Sequence, residues 1–250
     1  MNLRQPLWMI AFGHLLGVLC ILAGIGLVAA GWESWQWLLW WPVFHVIGSL
    51  VTSVGLHRYF SHAAFKTSRL WHNAMALYTP MLLIGSPIDW SVTHIAHHVH
   101  ADTKNDPHIA DWTYLVWKRY RKPIVHRRQL RRLMGDPTLA FVHRYGAGLW
   151  ILAMLAIVAF LPWQFFVFGY GMALGSVHLI GAVHLVWNHD GEGARDWPLL
   201  EFLLPAMGEW NHKTHHEQWK RADLRTAWWH LDLGAAFIWA IRARRAGPPL

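Results

Sequence analysis

Long stretches without a charged residue limit this chain more than any other feature of its sequence. A helix needs about 20 apolar residues to cross a bilayer, and residues 6–31, 34–56 and 146–187 contain no Asp, Glu, Lys or Arg. The last stretch is about twice the necessary length. It is interrupted by the residues LPWQ at 161–164, which predicts two helices around a turn. The expected fold is therefore an all-α integral membrane protein.

We predict one domain, residues 1–250, in which four transmembrane helices carry a helical cap at one membrane face. The spans are expected at about residues 7–31, 35–56, 146–161 and 164–187. The only cysteine, Cys20, excludes an internal disulfide and a thiolate metal cluster.

Basic residues set the expected orientation. The chain has 22 Lys and Arg against 14 Asp and Glu, a net charge of +8, and residues 118–132 are especially basic. Because basic loops stay on the cytosolic side, this loop, the cap and both termini are expected in the cytosol. In so apolar a chain, the basic loop indicates lipid headgroups or a protein partner, and no nucleic acid.

Nineteen histidines are present, and nine of them form a pattern. These nine are His57 and His62; His94, His97 and His98; His184; and His212, His215 and His216. Histidines at positions i, i+3 and i+4 share one face of a helix, so two of the groups each direct three imidazoles the same way. Neutral imidazole binds Fe, Zn, Cu and Ni. Nine ligands suit two metal ions with open positions better than one ion.

His57 and His62 are five residues apart, a spacing that would separate them by about 140° on an α-helix. A helix end followed by a turn is therefore expected there. Eight of the remaining histidines, His189 among them, are interpreted as polar residues near a membrane boundary. His178, which lies within the last predicted span, and His108 are considered separately below.

A further uncharged stretch, residues 70–88, is interpreted as interfacial or re-entrant. It contains Pro80, Gly85 and Pro87, which disfavour a straight helix. If this stretch crossed the membrane, the first two groups of histidines would lie on opposite membrane faces and could not share metal ions.

The histidine pattern resembles that of the integral-membrane fatty acyl desaturases, in particular the stearoyl-CoA (Δ9) desaturase branch in its bacterial type. The three histidine boxes of that family correspond to residues 57–62, 94–98 and 212–216, and its extra histidine on the fourth span corresponds to His184. The flanks FSHAAFKTSR (60–69), DTKNDPH (102–108), DPTLAFVHRY (136–145) and LRTAWWHLDL (224–233) are also similar to the family. The resemblance covers roughly residues 40–245.

The resemblance implies a four-helix bundle whose cytosolic cap holds two iron ions (Fe2+/Fe3+) through the nine histidines. It implies an oxidoreductase that uses dioxygen and two electrons to place a cis double bond in a saturated fatty acyl chain, linked to CoA, a carrier protein or a lipid. The electrons would come from a separate carrier such as a ferredoxin or a cytochrome b5-type protein. Membrane lipid is the other expected partner.

The chain departs from the family near the expected acyl tunnel. Ile180 stands where the family has an Asn that reaches one iron through water, and Ser176 and Val177 stand where it has a Thr-Trp pair in the tunnel wall. The candidate tunnel residues are Trp90, Ser176, Val177 and Ile180. The candidate residues around the metal-binding histidines are His178, Asn188, Asp106 and His108.

Two alternatives stay open. The departures at Ser176, Val177 and Ile180 allow a related oxidation of a lipid chain: hydroxylation, acetylenic bond formation or terminal alkene formation. A histidine-rich metal transporter is the alternative from another class. It is disfavoured because a cation pathway usually leaves carboxylates inside the spans, and the predicted spans contain none.

Overall fold

Four helices are long and apolar enough to cross a membrane, as the sequence predicted. They are Trp8–Ala29, Trp35–Ser61, Pro137–Phe160 and Phe165–Asn188. The computed structural model describes residues 7–108, 112–117, 121, 123–125, 127–189 and 193–243, and within these ranges there is no β-strand, only isolated bridges. The all-α membrane architecture is therefore confirmed.

The α-helices in the described ranges are α1 (Leu7–Ala29), α2 (Trp40–Leu50), α3 (Arg69–Tyr78), α4 (Pro87–His100), α5 (Trp112–Trp117), α6 (Arg127–Met134), α7 (Pro137–Phe160), α8 (Met172–Asn188), α9 (His212–Glu217) and α10 (Leu233–Ile241). Short 3-10 turns cover Trp35–Leu39, Thr79–Leu82 and Pro198–Phe202, and wider helical segments cover Val51–Ser61 and Phe165–Gly171.

Two spans are longer than the uncharged stretches indicated. The second continues past residue 56 to Ser61, so it includes Arg58, which is fully buried against protein partners. The third begins at Pro137, because the Asp136 side chain accepts hydrogen bonds from the backbone N–H groups of Thr138 and Leu139. An Asp cap followed by proline is a strong helix start, which hydropathy alone does not register.

α1 packs directly on α8, and two glycines make the close approach possible. A methyl group added to Gly17 would overlap the backbone of Gly175, and the reverse is also true. Small residues at such a crossing let two membrane helices touch through their backbones. The first span is thereby a part of the bundle and more than a peripheral anchor.

Residues 70–88 belong to a hairpin of two short helices, α3 and α4. α3 has 10 residues and α4 has 14, both short of the ~20 that a span needs. Leu83 and Gly85 have positive φ angles of 51° and 103° and reverse the chain between them. Ser86 then starts α4 through a reciprocal capping pair with Asp89.

Exposed tryptophans mark both ends of the bundle. Trp8 and Trp187 lie near one end, and Trp32 and Trp163 lie near the other, where Gln164 donates a hydrogen bond to Glu33. Tryptophan concentrates at membrane–water boundaries. The part of the helical bundle between these two pairs of tryptophans is therefore the part expected to lie within the membrane.

The cap packs on the end of the second span. Leu56 and Phe60 belong to a buried cluster with Leu133 of α6, Leu139 of α7 and Ile238 of α10. α6 turns its basic residues outward, so that Arg127, Arg128 and Arg131 are exposed. Lys118, Arg119 and Lys122 of the predicted basic loop, and both chain termini, lie outside the described residues.

Candidate metal centre

His57 lies near the end of the widened helix Val51–Ser61 and His62 is the cap residue in the turn that follows it, which confirms the predicted helix end and turn. The backbone N–H of His62 donates to the carbonyl of His57, five residues earlier, at 3.2 Å. In a helix with this hydrogen-bond pattern, residues five apart come to the same face. The ring centroids of His57 and His62 are accordingly 5.0 Å apart.

The other two boxes lie on ordinary helices. His94, His97 and His98 occupy the last two turns of α4, and His212, His215 and His216 make up half of the six-residue α9. The i, i+3, i+4 spacing turns each set toward the end of the second span.

Five histidines form the first group: His57, His62, His94, His98 and His215. Their Nε2 atoms converge on one point. The Nε2–Nε2 distance is 2.8 Å for His57 with His215, for His62 with His94, and for His98 with His215. It is 3.0 Å for His94 with His98.

Four histidines form the second group: His97, His189, His212 and His216. The Nε2 atom of His212 lies 2.8 Å from that of His189 and 3.1 Å from that of His216. The two groups are adjacent, because the rings of His98 and His216 stack with centroids 4.3 Å apart.

This crowding of nitrogens fits metal ions and does not fit hydrogen bonding alone. Nδ1 of His57 meets the Glu209 carboxylate and Nδ1 of His97 meets the Asp106 carboxylate. Carboxylates only accept, so these two Nδ1 atoms are the donors, and in the neutral tautomer that such a contact favours the Nε2 atom presents a lone pair. Two nitrogens that each lie about 2.1 Å from one metal ion, with a nitrogen–metal–nitrogen angle of about 90°, are about 3 Å apart. The Nε2–Nε2 distances found here are close to that value.

Five histidines of the two groups that lie outside the spans, His62, His94, His212, His215 and His216, are held neutral, the form that binds metal. Burial first, and then the charges of neighbouring histidines, lowers the pKa of His62 and of His216 to about 2. The same causes hold the pKa of His94, His212 and His215 well below the ordinary value.

Two carboxylates fix the orientation of ligand histidines in the two groups. Asp106, which the sequence analysis singled out, accepts from Nδ1 of His97 at 2.9 Å and from the backbone N–H of His108. The His108 ring is 4.7 Å from that of His97. Such partners fix the tautomer and the direction of a ligand imidazole.

Glu209 plays this part for His57, and the sequence analysis missed it. Its carboxylate accepts from His57, from the Ser53 hydroxyl and from Arg58. Burial raises the pKa of Glu209, but His57, Arg58 and the hydrogen bonds outweigh it and lower the pKa to about 2. An acidic residue three positions before a histidine box was the available signal.

His184 and His189 are placed differently from the sequence prediction. His184 lies outside both groups: its Nε2 donates to the backbone carbonyl of Glu209 at 2.7 Å, and its ring is 4.7 Å from that of His212. His189, interpreted from the sequence as a boundary residue, belongs to the second group. α8 ends at Asn188, and the extended backbone of His189 turns its ring toward His212.

The candidate residues His178 and Asn188 lie on α8 at different depths. His178 donates from Nε2 to the carbonyl of Leu82 at 2.8 Å, deep in the bundle. Asn188 is fully buried beside His189, and neither of its amide atoms has a hydrogen-bond partner among the described residues.

A cavity of about 180 Å³ runs from the histidines into the bundle. Among the candidate tunnel residues, Trp90, Val177 and Ile180 line it. Ser176 does not, because its hydroxyl is engaged by the Trp41 indole N–H at 3.1 Å and by His45 at 2.8 Å. Ile10 of α1 also lines the cavity, although it is distant from the histidines in the sequence.

Fold and site together define a membrane protein with two adjacent histidine sites for metal above an apolar cavity. A comparison with models of protein families finds no match. Among individual proteins, the chain is 30% identical over 233 residues to Delta-9 acyl-lipid desaturase 2 of Arabidopsis thaliana, which covers 84% of this chain and 73% of that protein.

The chain is also similar to two bacterial enzymes that act on fatty acyl chains. The chain is 26% identical over 215 residues to sn-1 stearoyl-lipid 9-desaturase of Anabaena variabilis, covering 78% of this chain and 75% of the relative. It is 27% identical over 250 residues to hex-5-enoyl-acyl-carrier-protein acetylenase of Moorena producens (strain JHB), covering 82% and 77%. The chain belongs to the membrane fatty acyl desaturase family and is an oxygen-dependent oxidoreductase.

Proposed function

We propose that this chain places a cis double bond in a saturated acyl chain of a membrane lipid, with two iron ions bound by the histidines. The observation that carries the proposal is the pair of converging imidazole groups at the head of an apolar cavity. The lipid-linked substrate follows the names of the relatives from Arabidopsis and Anabaena.

We assign one iron to the five-histidine group and the other to His97, His189, His212 and His216. His189 thus takes the place that the resemblance gave to His184. Iron with dioxygen supplies an oxidant strong enough for unactivated C–H bonds, which side chains alone lack. Two hydrogens leave the acyl chain, two electrons and two protons are added, and dioxygen leaves as two waters.

The chain's own residues position the substrate. Trp90 stacks on His94 with ring centroids 4.7 Å apart, and it forms the cavity wall beside the first group. Ile180 and Leu185 of α8 form another part of the wall. A narrow apolar space holds one pair of carbons near the metals and keeps water out, which favours a single reaction position.

Acetylenic bond formation is the second candidate, because one relative is an acetylenase. The same hydrogen abstraction would then act on a chain that already holds a double bond. The relatives named as desaturases favour the first candidate.

Electrons are proposed to arrive from a separate carrier, such as a ferredoxin or a cytochrome b5-type protein, on the cytosolic side of a bacterial inner membrane. α6 lies close to the first histidine box, since Arg132 donates to the carbonyl of Phe60 at 2.5 Å. The exposed Arg127, Arg128 and Arg131 would face an acidic carrier. Binding of anionic lipid is the other function proposed for these exposed arginines.

Lipid analysis of cells that express the protein tests the proposal. Wild type should yield a new monounsaturated chain, and the double-bond position in it gives the regiochemistry. His97→Ala should insert normally and yield none, whereas His100→Ala, on the same helix but outside both groups, should retain the product. Undiminished product in His97→Ala would contradict the assignment.

A further inference from the structure

The chain between α8 and α9 passes back along the bundle before it reaches the third histidine box. It is tied to the bundle at Pro205, whose carbonyl accepts a hydrogen bond from Nε2 of His45 at 3.0 Å. Nδ1 of the same ring lies 2.8 Å from the hydroxyl of Ser176. The Pro205 carbonyl is thus one imidazole ring away from a side chain of α8.

His45 and Ser176 both lie well inside membrane spans, Trp35–Ser61 and Phe165–Asn188. Ser176 is about 18 Å along α8 from Asn188, where that span ends. The His45 ring and its two hydrogen bonds cover about 8 Å, so Pro205 still lies at least about 10 Å below the level of Asn188. Interfacial membrane segments insert to about 5–10 Å. The loop therefore reaches the depth of the bilayer.

The outer face of this loop is apolar. Residues 198–206 contain one charged residue, Glu201, and it is buried. The exposed side chains are large and apolar: Leu199 is 67%, Phe202 is 59% and Leu203 is 78% exposed. Contact with water is unfavourable for such side chains, whereas contact with acyl chains is not.

This face is continuous with the embedded surface of α8. Trp197, which precedes the loop, donates from its indole N–H to the carbonyl of Trp187 at 3.3 Å, and both tryptophans are exposed. Tryptophan concentrates at membrane–water boundaries. The pair therefore marks the level from which residues 198–206 descend.

The turn of the loop also meets the condition for backbone inside a membrane. Irregular backbone is tolerated there only if protein groups satisfy its polar atoms. The N–H of Leu204 donates to the carbonyl four residues earlier, and the Leu204 carbonyl accepts from the Trp210 indole at 2.7 Å. The N–H of Ala206 donates to the Glu201 carboxylate at 2.9 Å, and the Ala206 carbonyl accepts from the N–H three residues later. Because Pro205 has no N–H, every backbone polar group of residues 204–206 has a protein partner.

We propose that residues 198–206 form a re-entrant segment inserted among the acyl chains of the leaflet beside the histidine sites. Leu199, Phe202 and Leu203 contact those acyl chains, while Ala206 lines the cavity. A search for membrane spans misses the segment because it is short and contains a carboxylate. It anchors the chain before the third histidine box to the membrane. This inference goes beyond the proposed function, since it requires neither metal nor turnover.

A fluorophore reports the surroundings of Leu203 directly. In full-length protein with Cys20→Ala, Leu203→Cys is labelled with the fluorophore NBD and placed in phosphatidylcholine vesicles. We expect quenching by lipids with a nitroxide on the acyl chain to exceed quenching by iodide in water at least about twofold. Leu152→Cys, at an exposed position in the span of α7, is the embedded control. Arg225→Cys, at an exposed charged position of the cap, is the aqueous control.

The label at Leu203→Cys should behave like the label at Leu152→Cys. Iodide quenching equal to that of Arg225→Cys would place the loop in water and overturn the proposal. Resistance to both quenchers would mean that a protein surface, such as a second copy of the chain, covers the loop, and would overturn the proposal as well.

A charge at the same position gives a measurement without a label. Because a carboxylate among acyl chains is costly, Leu203→Asp should lower the melting temperature in vesicles by about 5 °C or more. Leu203→Ala should shift the melting temperature by less than about 2 °C. On a surface in water the two substitutions would act alike, so equal melting temperatures of the two variants would contradict the insertion.

Discussion

At the scale of single residues, His189 lies in the second histidine group and His184 lies outside both, the reverse of the arrangement that the sequence suggested. We expect His189→Ala to lose about half of the bound iron and essentially all activity, because the second group drops to three ligands. His184→Ala should retain most of its iron, since Nε2 of His184 is committed to the Glu209 carbonyl. Elemental analysis of the iron bound per protein distinguishes the two variants. If His184→Ala lost more iron than His189→Ala, His184 would be the ligand instead.

The sequence could not choose between these two histidines for a physical reason. Periodicity reports which residues share a face inside a helix, and His184 lies inside α8. His189 lies one residue past its end, where loop dihedrals direct the ring. The eight other ligands of the proposed set were predictable, because they sit in fixed spacings on helices. Glu209 was not, because only the folded chain brings it to His57.

Buried neutral histidines make the metal-free protein sensitive to acid. The pKa of His62 and of His216 is about 2 in the fold and about 6.5 in the unfolded chain. Below pH 6.5 the unfolded chain therefore binds protons that the fold does not, so stability falls as the pH falls. Each such histidine contributes up to about 1.4 kcal/mol per pH unit.

The melting temperature of the metal-free protein in detergent should therefore drop steadily from pH 7 to pH 5. His62→Asn should flatten the dependence, and His100→Asn, outside both groups, should leave it unchanged. Glu209 adds nothing in this window, because its lowered pKa matters only below about 4.5. A melting temperature that is constant over these two pH units would contradict the burial of neutral imidazoles.

At the scale of elements, one arginine joins the second span to the cap. Arg58 donates to the Asp232 carboxylate at 3.0 Å and to Glu209 at 3.2 Å. It also donates to the carbonyls of Met207 at 2.6 Å and Ala222 at 2.8 Å. One side chain thus fixes the loop before α9, the segment after it and the start of α10.

Arg58→Met should be severely destabilising, because it leaves two buried carboxylates without their partner, a loss of about 3–5 kcal/mol. Arg225→Met removes the exposed pair with Asp223 and should cost no more than about 1 kcal/mol. Thermal unfolding in detergent, followed by tryptophan fluorescence, compares the two. Similar melting temperatures would show that the buried network is not what holds the cap.

Element boundaries divide into those that hydropathy can find and those that it cannot. The centres of all four spans follow from uncharged runs, because lipid excludes charge. The ends of the second and third spans do not, because Arg58 is buried by protein partners and Asp136 acts as a cap. Both spans extend beyond their uncharged stretches because a charged side chain is satisfied by contacts within the protein. A search for uncharged stretches stops at such a residue.

At the scale of the whole molecule, the hairpin of α3 and α4 sets the topology. With Cys20 replaced by alanine, the exposed positions Ser68 and Asn105, each changed to cysteine, should react with an impermeant maleimide from the same side of the membrane. Ser34→Cys, between the first two spans, should react only from the other side. Opposite sidedness of Ser68 and Asn105 would separate the first two histidine boxes and remove the shared site.

This topology stays a prediction from the sequence, made because the histidines require a common face and because the prolines and glycine of residues 70–88 disfavour a straight span. The cavity was less accessible from the sequence. Val177 and Ile180 were identified as wall residues, but Ser176, one position away, turns to Trp41 and His45. Ile10 joins the wall only because glycines bring α1 against α8. Such contacts between distant segments have no local sequence pattern.

The widened helix of residues 51–61 has a consequence for insertions and deletions: a one-residue change in it need not alter the direction of the metal-binding histidines. His57 in this helix and His62 just after its end lie on one face because the backbone N–H of His62 bonds to the carbonyl five residues back. Removing one residue between His57 and His62 leaves a four-residue spacing, which an ordinary α-helix also places on one face. A single-codon change can thus exchange one helix type for the other while both imidazoles keep their direction. The spacing within a histidine box then reports the local winding of the backbone, and two lineages that differ there need not differ in how they bind metal.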